Sequence, residues 1–128
     1  MANKKILIVD DEPGVREAVI KVLAREGYSV IQAADGSSGV SLALRERPAL
    51  VILDVLMQPM SGWEACRVIR QMKEIAGIPV LMLTGKQSVK DKITAMQVGA
   101  TDFLPKPFRN QDLKLRVKRL MGQTVQSF

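Results

Sequence analysis

Two short apolar runs constrain this chain more than any other feature. Ile6-Leu7-Ile8-Val9 and Leu50-Val51-Ile52-Leu53 contain no polar residue, and each ends in aspartate: Asp10-Asp11 after the first, Asp54 after the second. Such a run reads as a strand buried on both faces, as in a parallel sheet. Parallel strands finish along one edge, where open α/β sheets bind their ligands. The pattern therefore gathers three carboxylates at one sheet edge. Their repulsion calls for a cation, and a set of hard oxygens without histidine points to Mg²⁺. The plainer alternative is strand-end acids that merely face water; two matched strand ends with three acids argue against it.

The rest of the chain repeats the same alternation. A first strand, about Lys5–Asp10, is followed by Val15, Ala18, Val19, Val22 and Leu23 at helical spacing. Pro13 suits the start of that helix and Gly27 its stop. A second strand, Tyr28–Ala33, precedes a helix marked by Val40, Ala43 and Leu44 that ends before Pro48. After the third strand, Leu50–Leu53, a helix carrying Ala65, Cys66, Ile69 and Met72 closes near Gly77. Pro79–Leu83 is the fourth strand. Ser88 caps a fourth helix carrying Val89, Ile93 and Met96, which stops at Gly99. A fifth strand, about Asp102–Leu104, leads to a last helix with Leu113, Val117, Leu120 and Met121.

Five βα units predict a doubly wound five-stranded parallel sheet, with helices on both faces. A chain of 128 residues is too short for a closed (β/α)₈ barrel, which needs about 250. The expected domain covers residues 1–122, with 123–128 a frayed tail. No apolar run approaches the roughly 20 residues that span a bilayer, and no signal peptide is visible, so the chain reads as cytoplasmic with no membrane role. No Gly-x-Gly-x-x-Gly or Gly-Lys-Ser/Thr motif follows a strand, which leaves dinucleotide and P-loop nucleotide binding with little support.

Histidine is absent, which excludes Ser-His-Asp and Cys-His machinery and His-ligated zinc. Any histidine in the mechanism must come from a partner. Cys66 stands alone inside a helical pattern and reads as buried filler. The net charge of +6 is uneven. Residues 1–85 balance 10 Lys/Arg with 10 Asp/Glu, whereas residues 86–128 hold 9 Lys/Arg against 3 acids. An acidic partner or a nucleic acid could use such a surface. Few aromatics accompany the charge, so direct nucleic-acid binding is not favoured.

Two more strand ends complete the chemistry. The fourth strand stops at Thr84 and the fifth runs through Pro105 into Lys106. A hydroxyl and an ammonium thus join the three carboxylates, a combination that suits phosphoryl transfer to a carboxylate.

With these residues in place, the chain resembles the receiver domain of bacterial response regulators, the phosphoacceptor module of two-component signalling. The resemblance runs from Lys4 to about Met121. It rests on Ile-Leu-Ile-Val-Asp-Asp-Glu (6–12), Leu-Asp-Val-Leu-Met (53–57), Met-Ser-Gly-Trp-Glu (60–64), Leu-Thr-Gly (83–85), Gly-Ala-Thr-Asp-Phe-Leu (99–104) and Lys-Pro-Phe (106–108). It implies a flavodoxin-like fold with strand order 2-1-3-4-5; that order is the family's known property and is not read from this chain's pattern. By the same resemblance, Asp54 is the phosphoacceptor, and Asp11, Asp54 and the Leu56 carbonyl bind Mg²⁺ directly. Asp10 holds a metal-bound water. Thr84 and Lys106 meet the phosphoryl oxygens, and Phe103 changes rotamer with Thr84 on activation. The Lys106–Pro107 bond is expected to be cis.

Two departures stand out. Gln58 occupies the position where the family often has proline, and Pro59 comes one residue later, so the loop beside the metal could take another path. Phe103 replaces the tyrosine of some members and cannot make a hydroxyl contact.

The implied function is a phosphorelay module. It takes a phosphoryl group from a histidine kinase or histidine phosphotransfer protein and switches its last helices toward an unknown target, as a monomer or a phosphorylation-dependent dimer. It is not an enzyme beyond self-catalysed acceptance and hydrolysis. One alternative is the N-terminal receiver piece of a longer transcription regulator. The other is a small phosphatase with an aspartate nucleophile, but Leu56 stands where such enzymes place a second acid.

Overall fold

Strand β1 (Lys5–Val9) is buried from Ile6 onward, as its apolar run requires. In the computed structural model, which describes residues 4–85 and 89–122, four further strands join it: β2 (Ser29–Ala33), β3 (Leu50–Asp54), β4 (Val80–Thr84) and β5 (Asp102–Pro105). All neighbouring pairs are parallel, and the order across the sheet is β2-β1-β3-β4-β5. The helices are α1 (Pro13–Arg25), α2 (Gly36–Glu46), α3 (Gly62–Gln71), α4 (Val89–Val98) and α5 (Asn110–Gly122). This is the flavodoxin-like architecture that the family resemblance implies.

Strand alternation splits the core in two. Leu7, Val9, Val51, Leu53, Val80 and Met82 face α2, α3 and α4, where Val40, Ala43, Ala65, Cys66, Ile69 and Val98 meet them. Ile6, Ile8, Leu50, Ile52, Leu81 and Leu83 face α1 and α5, against Val19, Leu23, Leu113 and Val117. Because both faces are covered, β1 from Ile6, β3 and β4 carry no polar residue until their carboxyl ends.

The helix boundaries follow local chemistry. Pro13 sits in the first turn of α1, and Gly27 after it adopts φ 91°. Asp35 caps α2 through the Ser38 amide, and Ser61 with Glu64 forms a reciprocal capping box on α3. Gly99 ends α4 at φ 88°.

Two expectations need correction. The third helix does not run to Gly77; it ends at Gln71, with Met72 already extended at ψ 111°. The segment beyond is held by the Arg70 guanidinium, which donates to the carbonyls of Ala76 (3.1 Å) and Ile78 (2.6 Å). On α4, Ile93 and Met96 do not form the inward stripe. They are 49% and 77% exposed, while Ala95 and Val98 are buried, Val98 in the core cluster between the sheet and α3. Small Ala95 lets the helix approach closely, which turns its larger apolar residues outward. Ser88 as a cap and the tail from Gln123 lie outside the described residues, as do Lys86 and the Val89 side chain.

Candidate functional site

Register brings the strand ends together. Val9 pairs with Leu53, so Asp10 and Asp54 leave adjacent strands side by side. Asp54 pairs with Leu83 and Thr84 with Pro105, which sets Thr84 and Lys106 along the same edge. Asp10, Asp54 and Thr84 are the buried polar or charged residues among the described chain. Each was legible as a strand-end residue; their burial together was not.

Lys106 organises the cluster. Its Nζ lies 3.1 Å from Asp10 Oδ2, 3.1 Å from Asp54 Oδ1 and 3.3 Å from Glu12 Oε1. Its own amide donates to the Thr84 carbonyl at 2.6 Å. The Lys106–Pro107 bond is cis, as expected, and the Gln58–Pro59 bond is cis as well, in the loop where the sequence departs from the family pattern.

Asp10 is held closely. Its amide donates to the Ala33 carbonyl at 3.2 Å, and its Oδ1 accepts from the Glu12 amide at 2.9 Å. Its Oδ2 is buried beside the ammonium, with no well-oriented hydrogen-bond donor among the described residues. Asp54 Oδ1 also meets the Leu56 amide, at 3.4 Å. Thr84 Oγ1 is buried, with no partner among the described residues. A hydroxyl left without a partner costs about 1–3 kcal/mol, so one is kept only where something else uses it.

The electrostatics follow from this crowding. Burial, then the neighbouring Asp10 charge, raises the Asp54 carboxyl above its ordinary value, against the pull of Lys106. For Lys106, burial works against the ammonium, but Asp10 and Asp54 outweigh it and raise the amine.

Asp11 is exposed beside the cluster. Carboxylate oxygens of Asp10, Asp11 and Glu12 lie within 4.8 Å of one another. Asp54 is tied to this trio through Lys106. Glu12 was not among the anticipated site residues, although the Asp-Asp-Glu run contained the signal. The donor set fits a hard divalent cation: it is all oxygen, it carries more negative charge than one lysine balances, and one buried carboxylate oxygen lacks an oriented donor.

Phe103 lies farther along the same sheet, half-buried on β5. Its ring centroid is 5.6 Å from Lys92 Nζ of α4. Arg116 of α5 donates to its carbonyl and pairs with Asp102 Oδ1 at 3.1 Å. Thr84 and Phe103 therefore lie on neighbouring strands, β4 and β5.

The response regulator receiver domain model matches residues 6–118. The chain belongs to that family. This receiver domain is 40% identical over 119 residues to the probable transcriptional regulatory protein TcrX of Mycobacterium tuberculosis, covering 93% of the chain and 50% of the relative. It is 40% identical over 122 residues to the alkaline phosphatase synthesis transcriptional regulatory protein PhoP of Bacillus subtilis, covering 95% and 50%. The receiver domain thus spans about half the length of these curated relatives. Among solved structures, the chemotaxis response regulator CheY4 of Vibrio cholerae superposes with TM-score 0.89 at 35% identity, over 93% of this chain and 99% of that one. The receiver domain of the sensor histidine kinase PA1611 of Pseudomonas aeruginosa, solved with a magnesium ion coordinated in its active-site cleft, superposes with TM-score 0.87 at 30% identity, over 94% and 99%. A receiver domain is a signalling module of two-component systems. No helix among the described residues is long and apolar enough to cross a membrane.

Proposed function

We propose that Asp54 accepts a phosphoryl group from a phosphohistidine on a partner histidine kinase or phosphotransfer protein. The observation that carries this reading is the buried arrangement of Lys106 at 3.1 Å from both Asp10 and Asp54, with the unpartnered Thr84 hydroxyl on the next strand. A carboxylate oxygen of Asp54 attacks phosphorus, the P–N bond breaks, and the imidazole leaves with the electron pair and takes up a proton. The product is an acyl phosphate. Lys106 then exchanges a carboxylate for a phosphoryl oxygen, and the Thr84 hydroxyl gains the acceptor it lacks.

Asp10, Asp11, Asp54 and the Leu56 carbonyl are the groups that would hold Mg²⁺. When bound, the ion supplies charge neutralisation at the phosphoryl oxygens. Leu56 stands two residues after the nucleophile, where an acid would assist turnover, which supports a signalling module over a phosphatase.

The output surface of this reading is formed by α4, β5 and α5. Ile93, Met96 and Leu115 are exposed there, among the cations of the basic last third. Movement of Thr84 toward the phosphoryl group would free Phe103 to repack, which links the site to that surface. The proposed setting is the cytoplasm, with the protein a monomer or a phosphorylation-dependent dimer. A second reading, a receiver at the head of a longer transcription regulator, rests on the half-length match to curated relatives. The mass of the native protein distinguishes the two.

The test is intact-protein mass spectrometry after incubation with acetyl phosphate and Mg²⁺. One acid-labile phosphoryl group is expected on the parent, and none on Asp54→Asn or with chelator in excess. Full labelling of Asp54→Asn overturns the assignment.

A further inference from the structure

Asp10 is anchored at four polar groups, and the fourth anchor has no part in the reading above. Its main-chain carbonyl accepts a hydrogen bond from Arg16 Nη1 at 2.7 Å. Arg16 lies in the first turns of α1, and its Nε donates to Gln32 Oε1 at 2.8 Å. Gln32 belongs to the edge strand β2 and pairs in register with Ile8. Two donors of one planar guanidinium are thus committed to two separate acceptors, which fixes the plane of the group.

The peptide that joins Asp10 to Asp11 is rigid and moves as one plane. Holding its oxygen sets the direction in which the chain enters Asp11, and so the aim of the Asp11 carboxylate. Asp11 is exposed, with little packing to direct it. Buried Asp10 has its carboxylate fixed independently, by the Glu12 amide and Lys106. The Arg16 bond therefore holds the peptide that enters the loose acid, as the Glu12 amide holds the peptide that leaves it.

We infer that Arg16, oriented by Gln32, is a positioning residue that sets the Asp10–Asp11 peptide for cation binding. The inference rests on reading the acidic cluster as a Mg²⁺ site. Charge and geometry make opposite predictions for its removal. A guanidinium beside three acids repels a dication, so charge alone predicts tighter Mg²⁺ binding without it. Positioning predicts weaker binding, because groups that orient metal ligands typically contribute about 10–100-fold in affinity.

The experiment is a Mg²⁺ titration followed by amide chemical shifts, on the parent, Arg16→Met, Arg16→Lys and Gln32→Ala. Hydrogen exchange of the Glu12 amide in chelator gives a metal-free readout, because that amide is bound to Asp10 Oδ1. Arg16→Met is expected to raise the Mg²⁺ dissociation constant about tenfold and to speed Glu12 exchange. Arg16→Lys should behave like Arg16→Met, since an ammonium keeps the charge but not the fork. Gln32→Ala should shift both readouts in the same direction by less, and it carries the test if the Arg16 variants fail to fold. Unchanged or tighter Mg²⁺ binding in a folded Arg16→Met, or wild-type behaviour in Arg16→Lys, overturns the inference alone. A parent that takes up no Mg²⁺ overturns the reading of the cluster and this inference with it.

Discussion

A Cβ placed on Gly62 would lie 2.0 Å from the carbonyl oxygen of Asp54. The first turn of α3 is therefore seated directly on the end of β3, and the Gly62 amide donates to the Val55 carbonyl at 3.0 Å. This contact fixes the path of the loop from Val55 to Ser61. The obstacle is backbone at the end of a buried strand, which cannot swing aside. Gly62→Ala is expected to cost about 3 kcal/mol, at the upper end of overpacking effects, and to lower the phosphorylation rate by displacing the loop. Urea denaturation and phosphodonor labelling check both effects; an Ala variant as stable as the parent refutes the argument.

Thr84→Val should separate stability from function. The buried hydroxyl has no partner among the described residues, so replacing it with a methyl group is expected to stabilise the unphosphorylated domain by about 1 kcal/mol. The same change removes the donor proposed for the phosphoryl group and should reduce the lifetime of the phosphorylated form or the response of Phe103. Loss of stability in Thr84→Val without phosphodonor would show that the hydroxyl is used in the resting state.

The pH dependence follows from two raised groups. Asp54 is raised above 3.8, so the folded state binds its proton more tightly than the unfolded chain does. Its contribution to stability therefore falls as pH rises through the interval above 3.8. Asp54→Asn lacks this loss. The stability of Asp54→Asn relative to the parent should increase across that interval and then level off. A gap that is constant with pH would contradict the burial of this carboxylate.

Lys106 has the same sign, in a higher pH range. Its amine is raised above 10.5, so the stability its ion pairs contribute is fully present below 10.5 and is lost as pH rises through the folded value. At neutral pH, Lys106→Met leaves Asp10 and Asp54 facing each other without a cation. A cost of about 3 kcal/mol is expected, the scale for removing one partner of a buried pair. Adding Asp10→Asn should recover part of it. Urea midpoints of the two single variants and the double variant measure the coupling.

Surface residues of α4 should behave differently. Met96 is 77% exposed, so Met96→Ser should change stability by no more than about 0.5 kcal/mol. Beryllofluoride is expected to shift amide resonances around Lys90, Phe103 and Leu115 as well as at the strand ends. Shifts confined to the strand ends would show that the α4–β5–α5 surface does not respond.

Much of this protein was determined by its sequence alone. Apolar runs that end in Asp10 and Asp54 specify strands buried on both sides, and helical spacing between them specifies a doubly wound sheet. Pro13, Gly27 and Gly99 mark helix ends because their backbone restrictions act locally. Asp10, Asp54, Thr84 and Lys106 were legible because parallel strands end on one edge. Tertiary structure decided the rest. The outward face of α4 could not be read from its own pattern, because Ile93 and Met96 are as apolar as a core stripe; packing against α3 and the sheet selected small Ala95 instead. Glu12 joined the site only once Lys106 had crossed from the end of β5, a contact between residues 94 positions apart. The Gln32–Arg16–Asp10 relay likewise depends on which strand lies beside β1. Short-range geometry is written in neighbouring residues, whereas these contacts exist only after strand order and helix docking have been chosen by burial of the whole core.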